Sequence, residues 1–316
     1  MSSRIIYTII FSVLFCLSTA ANAAGEEEEN YSFFVTTLGY DFMYFEDLII
    51  HSPAIGVQLF LGDHNVPFNQ INRRFSALAL YQTIIFQGKP VLEDHDVPHI
   101  PGFFHHIDIN LDGRFNRHQF LFKFFSDAEG PLVGGYNSFQ IGAAWGYEIL
   151  RLSRWSAILG AAYSYGRVWL ISPYLRFGID TKLLAASLDL YLPYINLSFA
   201  IAPKSIVRFT TDIRMDTFRV NHDYVLWVHS FGIGVKVSFI DYALINNKIN
   251  DFVCACGHTD IATFELSYAS VFAVMNLSHI RIEGGFMAGE YHYTKSYAGS
   301  PGFGFFISVK GTIPIF

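Results

Sequence analysis

The sequence predicts an all-β chain, closed into one transmembrane antiparallel up-and-down barrel of about fourteen strands, with twelve as the alternative count. Three observations predict it. Short segments alternate apolar with small or polar residues, the period of a strand whose two faces meet different surroundings. The composition is 52% hydrophobic and 17% aromatic with only 15% charged residues, against about 25% charged in ordinary soluble domains. Apart from the N-terminus, only Leu183 to Ala202 comes near the run of about 20 apolar residues that a spanning helix needs, and Asp189 and Pro193 interrupt it. A chain hydrophobic overall but lacking hydrophobic runs has spread its apolar residues over alternate positions, as a membrane barrel does.

The clearest alternation closes the sequence. Phe303, Phe305, Ile307, Val309, Gly311, Ile313 and Ile315 share one parity, while Gly302, Gly304, Phe306, Ser308, Lys310, Thr312 and Pro314 share the other. An unpaired strand of this kind would be an aggregation edge, and pairing it back to the first strand removes the edge. At the other end, Arg4, the apolar Ile5 to Cys16 and the Ala21-Asn22-Ala23 site read as a secretory signal over residues 1–24. Residues 25–30 are then an acidic mature N-terminus, and 31–316 a single barrel domain.

Along that domain, Leu38, Tyr40, Phe42 and Tyr44 open the apolar parity, and Ile55, Val57, Leu59 and Leu61 continue it. Phe75 to Gln87 is strand-like by composition with poor alternation. Phe103 to Phe115 sets His105, Ile107, Ile109 and Leu111 against His106, Asp108, Asn110 and Asp112, and Asp112-Gly113 is the expected hairpin turn. His118, Phe120, Phe122 and Phe124 return. Phe139 to Ile149 and Trp155 to Tyr165 alternate cleanly about a short turn near Arg151, with Trp145, Tyr147, Trp155, Tyr163 and Tyr165 placed for an aromatic girdle. Leu175 to Asp180 follows, and Leu183 to Ala202 reads as one strand or two. Ser205 to Asp216 is the sharpest case. Phe231 to Phe239, Phe264 to Tyr268 and Ile280 to Glu283 precede the closing strand. Long and short connections fail to alternate around Thr217 to Tyr224, which marks a misassigned segment there. Gln87 to Gly102, Asp241 to Thr259 and Glu290 to Ser300 read as long loops that narrow or gate a lumen.

The whole pattern resembles the bacterial outer-membrane β-barrel proteins as a class, through the signal at Met1 to Ala24, the alternating segments from Tyr31 onward and the terminal Phe316. The resemblance implies an outer-membrane location, surrounding lipid, and the barrel-assembly machinery as a partner that reads Phe316. Pro314 and Thr312 share the parity of Phe316 where apolar residues are usual, so a bulge near Gly311 to Pro314 is the expected remedy.

The polar parity carries both signs: Asp108, Arg117, Lys123, Glu148, Arg154, Arg176, Asp180, Arg208, Asp212, Arg214, Asp216, Lys236, Glu265, Arg281 and Glu283. Charges on one lumen wall pair across strands and tune which solutes pass. The expected function is a porin-like channel for small hydrophilic solutes. A lipid hydrolase built on His279 and Ser267, and a structural or adhesive surface barrel, are the alternatives. The net charge of −6 without a Lys/Arg cluster excludes nucleic acid as a partner. His105 and His106 point to opposite faces, and Cys254-x-Cys256-x-His258 offers three ligand types in a loop, so neither is read as a metal site. No cofactor motif is present.

Overall fold

The computed structural model describes residues 33–45, 48–62, 73–88, 103–128, 139–152, 154–166, 168–216, 219–244, 262–293 and 300–315. They form sixteen strands. These are β1 (Phe33–Phe45), β2 (Leu48–Gly62), β3 (Arg73–Gly88), β4 (Phe103–Phe115), β5 (His118–Ala128), β6 (Phe139–Arg151), β7 (Trp155–Gly166) and β8 (Leu170–Asp180). The second half comprises β9 (Leu184–Tyr191), β10 (Tyr194–Ile201), β11 (Val207–Met215), β12 (Arg219–Val228), β13 (Phe231–Leu244), β14 (Ala262–Leu277), β15 (Ile280–Tyr293) and β16 (Ser300–Ile315). Each pairs antiparallel with its sequence neighbours, and β16 pairs with β1, so the sheet closes. The signal segment, Phe316, Cys254, Cys256, His258 and most of the three long loops lie outside the described residues.

The seam runs in one register from Phe34 opposite Ile315 to Phe45 opposite Gly304. No bulge interrupts β16 on either side, so the expected remedy near Gly311 to Pro314 is not used. Sixteen strands replace the expected fourteen because two segments escape the alternation rule. Leu183 to Ala202 is the β9–β10 hairpin, turning at Leu192–Pro193 without a glycine or asparagine to announce it. Among the described residues no helix is long and apolar enough to cross a membrane. The second missed strand is β12, which fills the region where connection lengths failed to alternate. Its inner parity ends on Val225 and Trp227, both buried, so both faces read as apolar there. The β4–β5 turn falls at Asn116–Arg117 with Asn116 at φ 54°, and Asp112-Gly113 lies within β4. Asparagine tolerates that left-handed conformation better than most residues.

With β12 in place the ends differ. Connections at the end holding the termini are short, apart from 63–72, whereas 89–102, 129–138 and 245–261 are long connections at the other, the loop end. The outer wall is apolar: Val235 is 47% exposed, Phe303 77% and Phe286 79%. Trp145, Tyr147, Trp155, Tyr163 and Tyr165 all face outward. The true core is inside. Phe45, Leu48, Ile50, Ile84, Phe86, Phe104, Leu266, Tyr268, Met287 and Tyr291 form one buried cluster contributed by β1–β4, β14 and β15. Removing each such side chain from water stabilises by about 1.5–3 kcal/mol. The cross-section is not round, because β5 and β13, eight places apart around the wall, approach within 8 Å between Cα atoms.

An exposed apolar wall of this kind predicts a specific cost in a bilayer. Val235→Arg should destabilise the barrel by about 2–4 kcal/mol when unfolding is measured from lipid vesicles. A water-facing site would change by under about 0.5 kcal/mol, and that result would contradict the assignment.

Candidate functional site

Register places the charges. On β4, His106, Asp108, Asn110, Asp112 and Arg114 share the inner parity, which their pairing partners on β3 and β5 continue. Near the terminus end, Arg114 and Arg151 both bind Glu148, whose side chain is fully shielded from solvent, as is that of Arg114. One layer further in, Arg176 Nη1 lies 3.1 Å from Asp112 and Arg176 Nε lies 3.3 Å from Asp189. Arg74 reaches the same Asp112 carboxylate at 3.6 Å, and Gln119 donates to it at 2.5 Å. Asp112 therefore ties β3, β5 and β8 to β4. Its two arginine partners leave little of the charge uncompensated, which a low-dielectric interior requires.

The opposite wall has its own network. Lys236 binds Glu283 and lies 3.9 Å from Asp223, the residue directly opposite it on β12. Arg281 Nη2 donates to Glu283 at 3.0 Å. The lysine ammonium also stands 5.0 Å from the Phe272 ring centroid and 5.3 Å from that of Phe306. Arg208 covers Trp227 at 4.9 Å. Rings of this kind hold cations by their quadrupole. A cross-lumen link joins the walls, with Arg219 Nη1 on β12 at 3.5 Å from His106 Nε2 on β4.

The sequence-derived set divides accordingly. Asp108, Lys123, Glu148, Arg176, Arg208, Asp212, Arg214, Lys236, Arg281 and Glu283 lie on inner parity, as Asp216 does just past β11. Arg154 and Asp180 stand opposite each other at the terminus-end rim. Two positions differ. Arg117 is in the β4–β5 turn and exposed. Glu265 is on outward parity, because its neighbours Leu266 and Tyr268 are buried in the interior cluster. An apolar stretch of lumen inverts the hydropathy rule on β14. The same inversion takes Ser267 to the outer face. His279 sits in the β14–β15 turn, so the two hydrolase candidates are separated by the rest of β14, roughly 40 Å at about 3.4 Å per residue. His105 faces outward with Tyr81 at 2.6 Å while His106 is buried inside. Among the described residues no three His, Cys, Asp or Glu side chains gather as a metal site.

Residues that alternation did not single out include Arg74, Asp112, Asp189 and Asp223. Asp112 and Asp189 were legible as polar-parity positions, whereas Asp223 lies on the missed β12. Inward aromatics were the larger omission. Tyr174, Tyr191 and Tyr194 are each at most 1% exposed. Tyr191 lies two residues after Asp189 and four after Ser187, on the polar alternation of that segment, which was the one signal available.

Between these rings and the terminus end lies a cavity of about 320 Å³ on the β7–β10 wall. Ser156, Gly178, Ser187, Ser198 and Ala200 line it, with Arg154 and Asp180 at the rim. Small residues leave this space open, and the three serines with Arg176 make part of its lining polar.

Several solved structures resemble the chain at low identity. OccAB4 of Acinetobacter baumannii shares 10% identity over 92% of this chain and 99% of that one, with a TM-score of 0.34. A triple mutant of the Rhodopseudomonas blastica porin shares 12% over 90% of this chain and 100% of that one, at 0.41. OccK7 of Pseudomonas aeruginosa shares 8% over 92% of this chain and 100% of that one, at 0.38. No family model matches the chain, and no curated protein does.

The shielded Arg114–Glu148 pair is the most sensitive point of the network. Glu148→Ala strands the Arg114 guanidinium away from water and should cost about 3–5 kcal/mol in denaturant unfolding. A loss below about 1 kcal/mol would mean that water reaches the pair.

Proposed function

We propose that this chain is an outer-membrane barrel of porin type that passes small hydrophilic solutes by diffusion. The observation that carries the reading is a closed sixteen-strand wall, apolar outside, with charged networks and an open space within that small residues, serines and Arg176 line. In hydrocarbon every backbone N–H and C=O needs a protein partner, and only helices and closed barrels supply them. A sixteen-strand wall is wide enough to enclose water. Met1 to Ala24 would direct export and be removed, Phe316 would mark the chain for barrel assembly, and lipid would cover the outer wall. Lys123, Arg154, Arg176, Asp180, Asp212 and Lys236 would set which solutes pass, through their charge in the lumen.

The purified, folded protein should conduct in planar bilayers, and silence from protein that still shows heat-modifiable gel mobility would refute the channel. Arg154→Glu at the rim should move the reversal potential in a salt gradient toward cation preference. An unchanged potential would remove Arg154 from the selectivity set.

A further inference from the structure

Resting on the channel reading, we infer that the path runs on the β7–β10 side of the lumen and that Tyr174, Tyr191 and Tyr194, around the tip of the β9–β10 hairpin, set its size limit. The lumen has two unequal halves. On the side of β1–β4 and β13–β16, the loop end is packed by the Phe45–Tyr291 cluster, and below it Phe272, Val274 and Phe306 join Val225 and Trp227 of β12 in a second buried group. The Lys236–Glu283 pair sits against this second group. The approach of β5 to β13 separates this half from the other. The cavity of about 320 Å³ lies in the other half. That other half has a buried group of its own, Leu121, Phe125, Ala144, Ile158 and Ala162 with the three tyrosines.

What stands between that cavity and the loop end is the hairpin tip. β9 and β10 are the shortest strands, eight residues each. Their pairing to β8 ends at Leu190 opposite Leu175, so Leu170 to Tyr174 of β8 continue beyond the hairpin's paired edge. The wall is low here, and the tip leans inward rather than upward. Ser164 Oγ on β7 donates to the carbonyl of Leu192 in the turn at 2.9 Å, skipping β8. The Tyr191 and Tyr194 ring centroids lie 4.9 Å apart, and Tyr174 meets Tyr191 edge-on at 5.9 Å. Gly142 makes the fit possible: a Cβ there would meet Tyr191 Cε2 at 3.2 Å and strike the Tyr194 ring. Lys123 closes the far side, its ammonium 5.1 Å from the Tyr194 centroid and 5.9 Å from that of Tyr191.

The rings narrow the path by bulk, because the Tyr191 and Tyr194 hydroxyls have no hydrogen-bond partner among the described residues. Removing hydroxyls and removing rings must then have different effects. The test compares single-channel conductance and sugar permeation in liposome swelling. The Y191A/Y194A variant should conduct at least twofold more than wild type and admit a larger member of the series arabinose, sucrose, raffinose. The Y191F/Y194F variant should match wild type in both. Phe104→Ala, in the Phe45–Tyr291 cluster, should leave both within about a third of wild type. Should the double alanine variant fail to fold by heat-modifiable mobility, Tyr194→Ala alone carries the comparison, with the same direction of change. Unchanged conductance in the alanine variants, or an equal rise in Phe104→Ala, overturns the inference while leaving the channel standing. If folded wild type and every variant are silent, the channel reading fails first.

Discussion

The β1–β16 seam is the constraint on which the molecule depends. In the apolar surroundings that its exposed outer face would suit, no backbone polar group would have a partner outside the wall. Closure must therefore be continuous, and the unbroken register from Phe34–Ile315 to Phe45–Gly304 meets that demand. Where the seam is tightest, glycine faces the first strand: any Cβ at Gly304 would lie 2.9 Å from the Phe45 Cα. The interior is thereby set. Once the sheet is closed, everything on the inner parity of sixteen strands shares one limited volume.

That volume is divided between two kinds of packing. Apolar side chains fill three regions as a soluble core would, from β1–β4, β14 and β15, from β5–β10, and from β12, β14 and β16. Elsewhere the wall carries charges, and these are arranged so that few stand alone. Asp112 takes Arg74 and Arg176, Glu148 takes Arg114 and Arg151, and Lys236 and Arg281 share Glu283. Pairs of this sort contribute little net stability, yet losing one member is expensive. They tie neighbouring stretches of the wall to one another, and the cavity beside β7–β10 lies next to the Arg176–Asp112 pair.

Alternation also explains where reading by pattern misleads. It assumes that apolar means outside and polar means inside. The assumption holds on β11, where Arg208, Thr210, Asp212 and Arg214 all face inward. On β14 it fails, since Leu266, Tyr268, Phe272 and Val274 face a lumen that is itself apolar. Glu265 and Ser267 are displaced outward as a consequence. β12 vanished from the pattern for the same reason, with Val225 and Trp227 inside and Leu226 and Val228 outside. A two-residue turn at Leu192–Pro193, without the glycine or asparagine usual in tight hairpins, hid the boundary between β9 and β10.

What the sequence determined by itself was class and periodicity. A low charged fraction, scattered apolar residues and period-two alternation favour a closed sheet over a helical span beyond the N-terminus, because each strand's two faces are written in adjacent residues. What only the tertiary structure decided was the content of the lumen. Whether an inward Tyr191 meets water, a glycine or another ring depends on strands far away in the chain, on Gly142 and Lys123 as much as on its neighbours. Flattening that brings β5 to β13 is a property of the whole circumference. No local pattern encodes it, since it arises from the sum of side-chain volumes that must share the enclosed space.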